Sequence, residues 1–266
     1  NGHLTRINIL TGAVSWQQVN ADEGYYWTGA TVGDGFVLVP TSAGTVEMLS
    51  KSTGDVLGSV SLGALVNSTC VLSKDGKHAY VISRDGKLHV LALSGAKAKA
   101  SSHISEERVV DLGLTGCACM PTLYSNKLIV GGEISGGSAL AIVDLANDFA
   151  TTLVSSADGV SLPAGGIKGA PLVSAQADGT YIYFTGNYGA TSDYVNYTSG
   201  GGVYRYKMSD AQASSVYNAT GHNNYCDSPI ACDAKGNLYY INDSGTLFKL
   251  NGGIKVSFET GEGSKV

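Results

Sequence analysis

The sequence predicts an all-β fold made of repeated, four-stranded antiparallel sheets. Six segments each open with a glycine and continue as an alternating strand, and the glycines are separated by 42, 42, 51, 65 and 43 residues. A period near 42 residues indicates a repeated unit that cannot bury its apolar face alone. No stretch keeps a helical apolar period over three turns, so we expect little helix. These observations predict the blades of a β-propeller, with equivalent glycines at Gly2, Gly44, Gly86, Gly137, Gly202 and Gly245.

The four strands of one unit are clearest near the C-terminus. Alternating or apolar segments at 228–233, 236–242, 245–250 and 254–259 follow one another in order. Residues that tolerate left-handed backbone, such as Asp233, Asp243 and Gly252, stand between them. This arrangement is typical of an antiparallel meander with tight turns.

The repeat predicts five complete blades and one half blade. The complete blades lie near residues 25–62, 66–104, 117–155, 168–218 and 226–259, whereas residues 1–20 supply only the third and fourth strands of a sixth. We expect a single propeller domain over residues 1–266, closed as a six-bladed ring or near-ring. Because the chain opens inside a repeat, we interpret it as a fragment of a longer protein.

Composition limits the classes of partner. The net charge is −5, charged residues make up 15% of the chain, and the isoelectric point is near 5.5. A nucleic-acid-binding surface needs a basic stripe, so we expect no nucleic-acid partner. No run of 18 apolar residues occurs, so we expect no membrane span in this chain.

The blade ends and beginnings carry a further motif. A residue followed by proline stands where the first strand of a blade begins, at Ser228-Pro, Ala170-Pro and Met120-Pro. The blades end with Thr11-Gly-Ala-Val-Ser-Trp16 or Thr53-Gly-Asp-Val. This layout resembles the repeat of the pyrroloquinoline-quinone (PQQ)-like, quinoprotein alcohol dehydrogenase-like propellers. That family includes quinone-dependent alcohol dehydrogenases. It also includes non-catalytic members, such as the outer-membrane assembly lipoprotein and many bacterial surface proteins.

Two departures from the family pattern argue against dehydrogenase activity. The dehydrogenases carry an adjacent Cys-Cys pair beside the quinone, and this chain has no such pair. Only one of the six blade ends keeps its tryptophan, Trp16. The resemblance therefore implies the fold but not the activity, and we expect neither a quinone cofactor nor a catalytic residue.

The cysteines and aspartates have both structural and metal-binding interpretations. Thiols could pack as small hydrophobic groups, form a disulfide among Cys117, Cys119 and Cys226, or bind a soft metal. No Cys-X2-Cys pair is present, which favours packing and no metal site. The Asp-Gly turns lack the remaining ligands of a calcium loop, so turn chemistry is favoured there too. No serine–histidine–aspartate triad can be assembled around His222.

The segments between blades and the turns between second and third strands should share one end of the sheets. The 65-residue gap contains an insertion at 187–201 among these segments, and loops that lengthen on a periodic scaffold are where binding surfaces form. Tyrosine and tryptophan combine contact area with a polar group, which is typical of recognition surfaces. Alternatively, some rings simply cap the blade ends. The candidate residues are Tyr25, Tyr26, Trp27, Tyr188, Tyr194, Tyr197, His222, Asn223 and Tyr225.

We therefore interpret the chain as a non-catalytic binding module of an extracytoplasmic bacterial protein, secreted or at the cell surface. Its partner would be a protein or a glycan bound through one face of the propeller. Two alternatives stay open. One is a fragment of a quinone- or metal-dependent oxidoreductase, and the other is a glycan-active propeller enzyme.

Overall fold

The computed structural model describes residues 2–25, 28–96, 102–155, 160, 162–163, 165–187 and 200–251. Within these ranges the chain forms strands and turns and no helix, which confirms the all-β class. Accordingly, no helix in this part of the chain has the length and apolar character needed to cross a membrane. The chain divides into two compact units, Asn1–Asp111 and Leu112–Val266. The single domain expected over residues 1–266 stays a prediction.

The first unit contains three antiparallel sheets whose strands neighbour one another in chain order. The first sheet has two strands, β1 (His3–Ile7) and β2 (Val14–Val19). The second comprises β3 (Thr31–Val32), β4 (Phe36–Pro40), β5 (Thr45–Ser50) and β6 (Val56–Ser61). The third comprises β7 (Val71–Leu72), β8 (His78–Ile82), β9 (Lys87–Leu93) and β10 (Ile104–Asp111).

The second unit repeats the same meander. Its first sheet comprises β11 (Thr122–Tyr124), β12 (Lys127–Ile134), β13 (Gly137–Asp144) and β14 (Ala150–Ser155). Its second comprises β15 (Leu172–Gln176), β16 (Gly179–Asn187), β17 (Gly200–Lys207) and β18 (Gln212–Tyr217). Its third comprises β19 (Ala231–Cys232), β20 (Leu238–Ile241) and β21 (Leu247–Leu250). The fourth strand expected at 254–259 lies outside the described residues. Four sheets of the described residues contain four antiparallel strands each, which confirms the predicted four-stranded blade.

Within each unit, the core lies between neighbouring sheets. The second strand β4 is buried along its length, whereas the fourth strand β6 leaves its side chains exposed or partly exposed. In the first unit, Leu38 and Met48 of one sheet join Val81 and Leu91 of the next in one apolar cluster. Burial on both faces explains why the inner strands read as nearly continuous apolar runs rather than as alternating ones.

A glycine with left-handed backbone opens the third strand in three sheets at the expected position. Gly44, Gly86 and Gly245 have φ values of 101°, 80° and 74°. In the sheets that contain β13 and β17, the left-handed residues are Gly136 and Gly201. Each of them precedes the expected glycine, Gly137 or Gly202, by one residue. The reason is local: Gly137 already pairs with Ile134, and a register shift after Gly186 pairs Asn187 with Gly200.

Trp16 packs against the Thr-Gly end of the neighbouring sheet at Gly54. Its indole nitrogen donates to the carbonyl of Lys51 at 3.0 Å, and its ring packs over Gly54. A Cβ at Gly54 would lie 2.8 Å from Cδ2 of Trp16, and Gly54 has a φ of 81°. The hairpin glycine of one sheet is thus the surface on which the tryptophan of the preceding sheet packs.

We predict that Gly54→Ala destabilises the protein more than Gly12→Ala. Gly12 has the same hairpin position and a φ of 71°, but nothing lies within 4 Å of its Cβ direction. Gly12→Ala should therefore cost only the backbone strain, about 1–2 kcal/mol. Gly54→Ala adds the steric overlap with Trp16. Urea unfolding of each variant measures the difference.

The combined variant Trp16→Ala/Gly54→Ala provides the control. Removing the ring should abolish the extra loss caused by Gly54→Ala, giving a coupling free energy between the two positions. Equal destabilisation by Gly12→Ala and Gly54→Ala would contradict the contact.

Asp233 shows the turn chemistry expected for the aspartates. Its Oδ1 accepts the amides of Lys235 and Asn237, both at 2.9 Å. Its Oδ2 accepts the Asn237 side chain at 2.7 Å and the Tyr239 hydroxyl at 3.0 Å. The hydrogen bonds from Asn237 hold the pKa of Asp233 well below its ordinary value.

We predict that Asp233→Asn lowers stability at neutral pH and that the loss shrinks in acid. The pKa of Asp233 is lower in the folded state, so the carboxylate stabilises the fold above the unfolded pKa of about 3.9. That contribution disappears as the pH falls through the folded pKa. The difference between the urea midpoints of the two proteins should therefore be smaller at pH 3 than at pH 7. The exposed Asp227, changed to Asn, is the control and should leave the curve unchanged.

Candidate functional site

One backbone hydrogen bond recurs at one end of the sheets. We use "link" for the segment that precedes a first strand and "turn" for the connection between second and third strands. In four sheets, a link carbonyl accepts the amide of a residue at the turn, at 2.7–3.1 Å. Within each unit, links and turns therefore meet, and we call this region the link–turn end. The four amide–carbonyl pairs are Ser42–Gly24, Arg84–Leu65, Glu133–Gly116 and Asp243–Tyr225.

Asn187 joins three segments at the link–turn end of the second unit. It is 2% exposed and ends the strand that precedes residues 188–199. Its Nδ2 donates to the carbonyls of Gly166 at 3.1 Å and Cys226 at 2.9 Å. Its Oδ1 accepts the amide of Cys226 at 2.9 Å. One buried amide side chain therefore fixes the links of two neighbouring sheets to the end of β16.

His222, Asn223 and Tyr225 lie together on the link before β19. Nδ1 of the exposed His222 ring lies 3.1 Å from the Thr246 hydroxyl oxygen. The His222 and Phe248 rings form a T-shaped contact, with their centroids 6.2 Å apart. The backbone carbonyl of His222 accepts the Asn242 side chain at 2.9 Å. Asn223 and Tyr225 are half-buried beside it. This link is thus held by its backbone while its side chains stay partly available.

An ion pair lies at the same end of the second unit. Lys168, on the link before β15, pairs with Glu133 at the turn of the preceding sheet. Both side chains are partly exposed, with 24% and 36% of their surface accessible. Gly166 allows this approach, because a Cβ there would lie 2.4 Å from Cγ of Glu133. The links and turns of the second unit therefore offer charged as well as aromatic groups.

Tyr25 occupies the corresponding link in the first unit. Its hydroxyl donates to Glu47, and the Asn20 side chain donates to the same carboxylate at 3.1 Å. Glu23 accepts the hydroxyls of Thr41 and Thr45. Burial, the hydrogen bond to Glu47 and the nearby negative charge raise the pKa of Tyr25 above its ordinary value. The ring therefore remains a neutral, half-buried phenol.

The structure places four of the nine candidate residues on links: Tyr25 in the first unit, and His222, Asn223 and Tyr225 in the second. Tyr26, Trp27, Tyr188, Tyr194 and Tyr197 lie outside the described residues. Sequence reasoning missed the supporting residues Asn187, Asn242 and Glu47. A polar residue at the end of a largely apolar second strand marks two of them, since Asn187 is the last residue of β16 and Asn242 directly follows β20.

All five cysteines are free thiols. The thiols of Cys117 and Cys226 donate to the carbonyls of Gly131 and Ile241, both at 3.2 Å. The Ser68 hydroxyl makes the same bond to Ile82 at 2.9 Å, so these cysteines hold the position of a hydroxyl donor. Burial raises the pKa of Cys117 to about 12. Since the thiolate is the nucleophile and the metal ligand, this environment opposes both roles.

Three residues of the first unit have the spacing of a catalytic triad. The Ser83 hydroxyl lies 2.9 Å from Nε2 of His89, and Nδ1 of His89 lies 2.6 Å from Glu106. Ser83, however, is fully buried and its hydroxyl donates to Asp85. A nucleophile must reach its substrate and direct its proton to the base. This network therefore fits a structural role that ties strands β8, β9 and β10 together.

The residues present do not fit the quinone of the dehydrogenases. Cys117 and Cys119 are separated by Ala118, and their thiols are buried and donate to the carbonyls of Gly131 and Gly169. Burial also raises the pKa of Cys119 well above its ordinary value. Trp16 packs on a hairpin glycine of the neighbouring sheet instead.

We predict that Asn187→Ala lowers the free energy of unfolding by about 1–3 kcal/mol, because it leaves the Cys226 amide and two carbonyls without their buried partner. Asn223→Ala, at the half-exposed link position, should stay within about 0.5 kcal/mol of the parent. Chemical denaturation measures both. Equal effects of the two changes would show that Asn187 does not fasten the links.

The sequence matches no protein-family model and no curated protein. Among solved structures, BamB from Moraxella catarrhalis is similar with a TM-score of 0.54 at 16% identity, over 94% of this chain and 68% of that one. Quinohemoprotein alcohol dehydrogenase from Comamonas testosteroni gives a TM-score of 0.59 at 15% identity. There the match covers 84% of this chain but only 41% of the enzyme. Hydrazine synthase from Kuenenia stuttgartiensis gives 0.62 at 15% identity, over 90% and 67%.

At these identities the likeness establishes architecture rather than activity. It extends over most of the chain and agrees with the strand order of the sheets. The chain therefore has the fold of the PQQ-like β-propellers, with four-stranded antiparallel blades.

Proposed function

We propose that this chain is a non-catalytic binding module of an extracytoplasmic bacterial protein. The observation that carries the proposal is the link–turn end, where half-exposed side chains stand on backbone that hydrogen bonds hold in place. A surface that is already ordered loses less entropy when a partner binds. The extracytoplasmic location rests on the resemblance to bacterial surface propellers, and fractionation of the source cells tests it.

The chemistry of the described residues supports binding over catalysis. The one serine with triad-like distances is buried and donates to Asp85. Burial raises the pKa of the Cys70 thiol to about 12, as it does for Cys117. In contrast, the groups that reach solvent at the links are an imidazole, amides, phenols and an ion pair.

The proposed recognition surface of the second unit combines His222, Asn223 and Tyr225 with Tyr188, Tyr194 and Tyr197 from the insertion. Tyr25, Tyr26 and Trp27 form the corresponding group of the first unit. Aromatic residues surrounded by polar and charged groups are typical of protein interfaces. We therefore propose a protein partner, and glycan binding is the competing outcome.

Site-specific photo-crosslinking in the source bacterium tests the location of this surface. A photoreactive phenylalanine at position 194, 197 or 223 should capture the same protein. The control positions 74 and 235 lie in the minimal hairpins between first and second strands. Capture of that protein from the control positions, or from none of the five, would contradict the proposal.

We predict that Tyr194→Ala/Tyr197→Ala weakens binding of the captured protein about thirtyfold, equivalent to roughly 2 kcal/mol for the loss of anchoring aromatics. The melting temperature should stay nearly unchanged, because the proposed role of these rings is in the complex. Titration calorimetry and thermal unfolding give the two numbers. A large drop in melting temperature with unchanged affinity would instead assign the rings to the core.

A further inference from the structure

The side chain of Asn242 is buried at the link–turn end of the second unit, directly after β20. Its Oδ1 accepts the amide and the hydroxyl of Ser244, at 3.1 and 2.6 Å. Because both donors lie on that side, the amide nitrogen faces the other way, where it donates to the His222 carbonyl at 2.9 Å. Asn242 therefore joins its own turn to the link through opposite ends of one side chain.

His222 is attached to the β20–β21 hairpin through its backbone and through its ring. Asn242 holds the carbonyl, whereas the ring contacts the Thr246 hydroxyl and the Phe248 ring. The contact with Thr246 is exposed, so water competes with it. Asn242 is only 6% exposed, so the loss of its bond would leave a buried amide without its partner. Of the two polar contacts, the bond from Asn242 is the more costly to break.

The start of β17 leaves room for the Asn242 amide. Gly201 has a φ of 73°, and a Cβ there would overlap Nδ2 of Asn242 and lie 2.9 Å from the Asn224 carbonyl oxygen. The equivalent residue in the preceding sheet, Gly136, has a φ of 79° and nothing within 4 Å of its Cβ direction. Left-handed backbone accounts for glycine at both positions. Only at Gly201 is glycine also needed for the approach of Asn242 to the link.

The first unit uses the same position in the repeat differently. Thr41 precedes the turn amide of Ser42, so it is the counterpart of Asn242. Thr41 is also buried, but its hydroxyl donates to the side chain of Glu23 and not to the link backbone. The longer side chain of Asn242 is therefore what reaches a link carbonyl.

We propose that Asn242 is a positioning residue of the recognition surface: it sets the placement of the His222 ring, on which the affinity for the protein partner depends. The proposal needs no contact between Asn242 and the partner. A group that is held in place before binding loses less entropy in the complex. This inference rests on the proposed function for its effect on affinity, whereas the effect on the His222 ring needs no partner.

Asn242→Asp and Ser244→Ala separate the two ends of the Asn242 side chain. Asn242→Asp keeps an acceptor for Ser244 but replaces the donor to the His222 carbonyl by an oxygen. Ser244→Ala removes the hydroxyl from Oδ1 and keeps the bond to His222. Proton NMR records the rings of the five histidines, and His222→Gln identifies the signals of His222. These signals should shift in Asn242→Asp, because the ring moves relative to Phe248, and should stay in place in Ser244→Ala.

Gly201→Ala and Gly136→Ala make the same comparison without a buried charge. Both add a side chain to left-handed backbone, but only Gly201→Ala displaces the Asn242 amide. Gly201→Ala should shift the His222 signals and weaken binding of the protein captured from position 223 about fivefold, the loss expected for one hydrogen bond. Gly136→Ala should leave the signals in place and change the affinity by no more than about twofold. Titration calorimetry measures both affinities.

Three results would overturn the proposal. The first is unshifted His222 signals in both Asn242→Asp and Gly201→Ala. The second is shifted signals with unchanged affinity for the captured protein. The third is an equal effect of Gly201→Ala and Gly136→Ala, which would assign the change to backbone strain. If position 223 captures no protein, the proposed function fails, and the NMR comparison still decides whether Asn242 positions His222.

Discussion

The hydrogen bond between a link carbonyl and an amide at the turn is the constraint on which the candidate site depends. Each sheet could bury its faces in several orientations, because apolar packing has little directionality. A backbone hydrogen bond, in contrast, is directional. Repetition of this bond, as at Arg84 and Leu65 or Asp243 and Tyr225, fixes where the links of these four sheets run. It therefore decides which side chains of the link reach solvent.

In the sheet that lacks this bond, a side chain connects the links instead. In the sheet that contains β16, the Gly165 amide donates to the Asn187 carbonyl, so the direction of the bond is reversed. The Asn187 side chain then supplies three further bonds to the neighbouring links. This sheet is also the one that carries the long insertion. The extra fastening and the longer loop thus occur at the same place in the repeat.

The sequence predicts the repeat well, because the 42-residue offset preserves strand register as well as glycine spacing. The match between β1–β2 and β5–β6 extends to the position of the register shift. The sequence pattern, however, places the left-handed glycine at Gly137 and Gly202, one residue too far along the chain. The position of this glycine depends on how Ile134 and Asn187 pair in their hairpins. Such pairing is a property of two strands together. A single glycine in the sequence does not show it.

The candidate site was harder to predict than the fold for a similar reason. Links can be recognised because they lie between periodic segments, and this placed Tyr25, His222 and Tyr225 correctly on links. The groups that support them, Glu47 and Asn242, lie 22 and 20 residues away in sequence from the residues they bind. The role of Cys226 as a hydroxyl-like donor also required the position of the Ile241 carbonyl. The local sequence can mark Asn242 as a polar residue after an apolar strand, but it does not show which distant residue such a side chain will contact.

The central claim is that one backbone bond holds the links at the turns in four of the described sheets. Native-state hydrogen exchange of the Ser42, Arg84, Glu133 and Asp243 amides tests it most directly. The account predicts that all four are protected to the level of the amides in the adjacent second strands. Exchange of these amides at the rate of free loops, with the strands still protected, would contradict it.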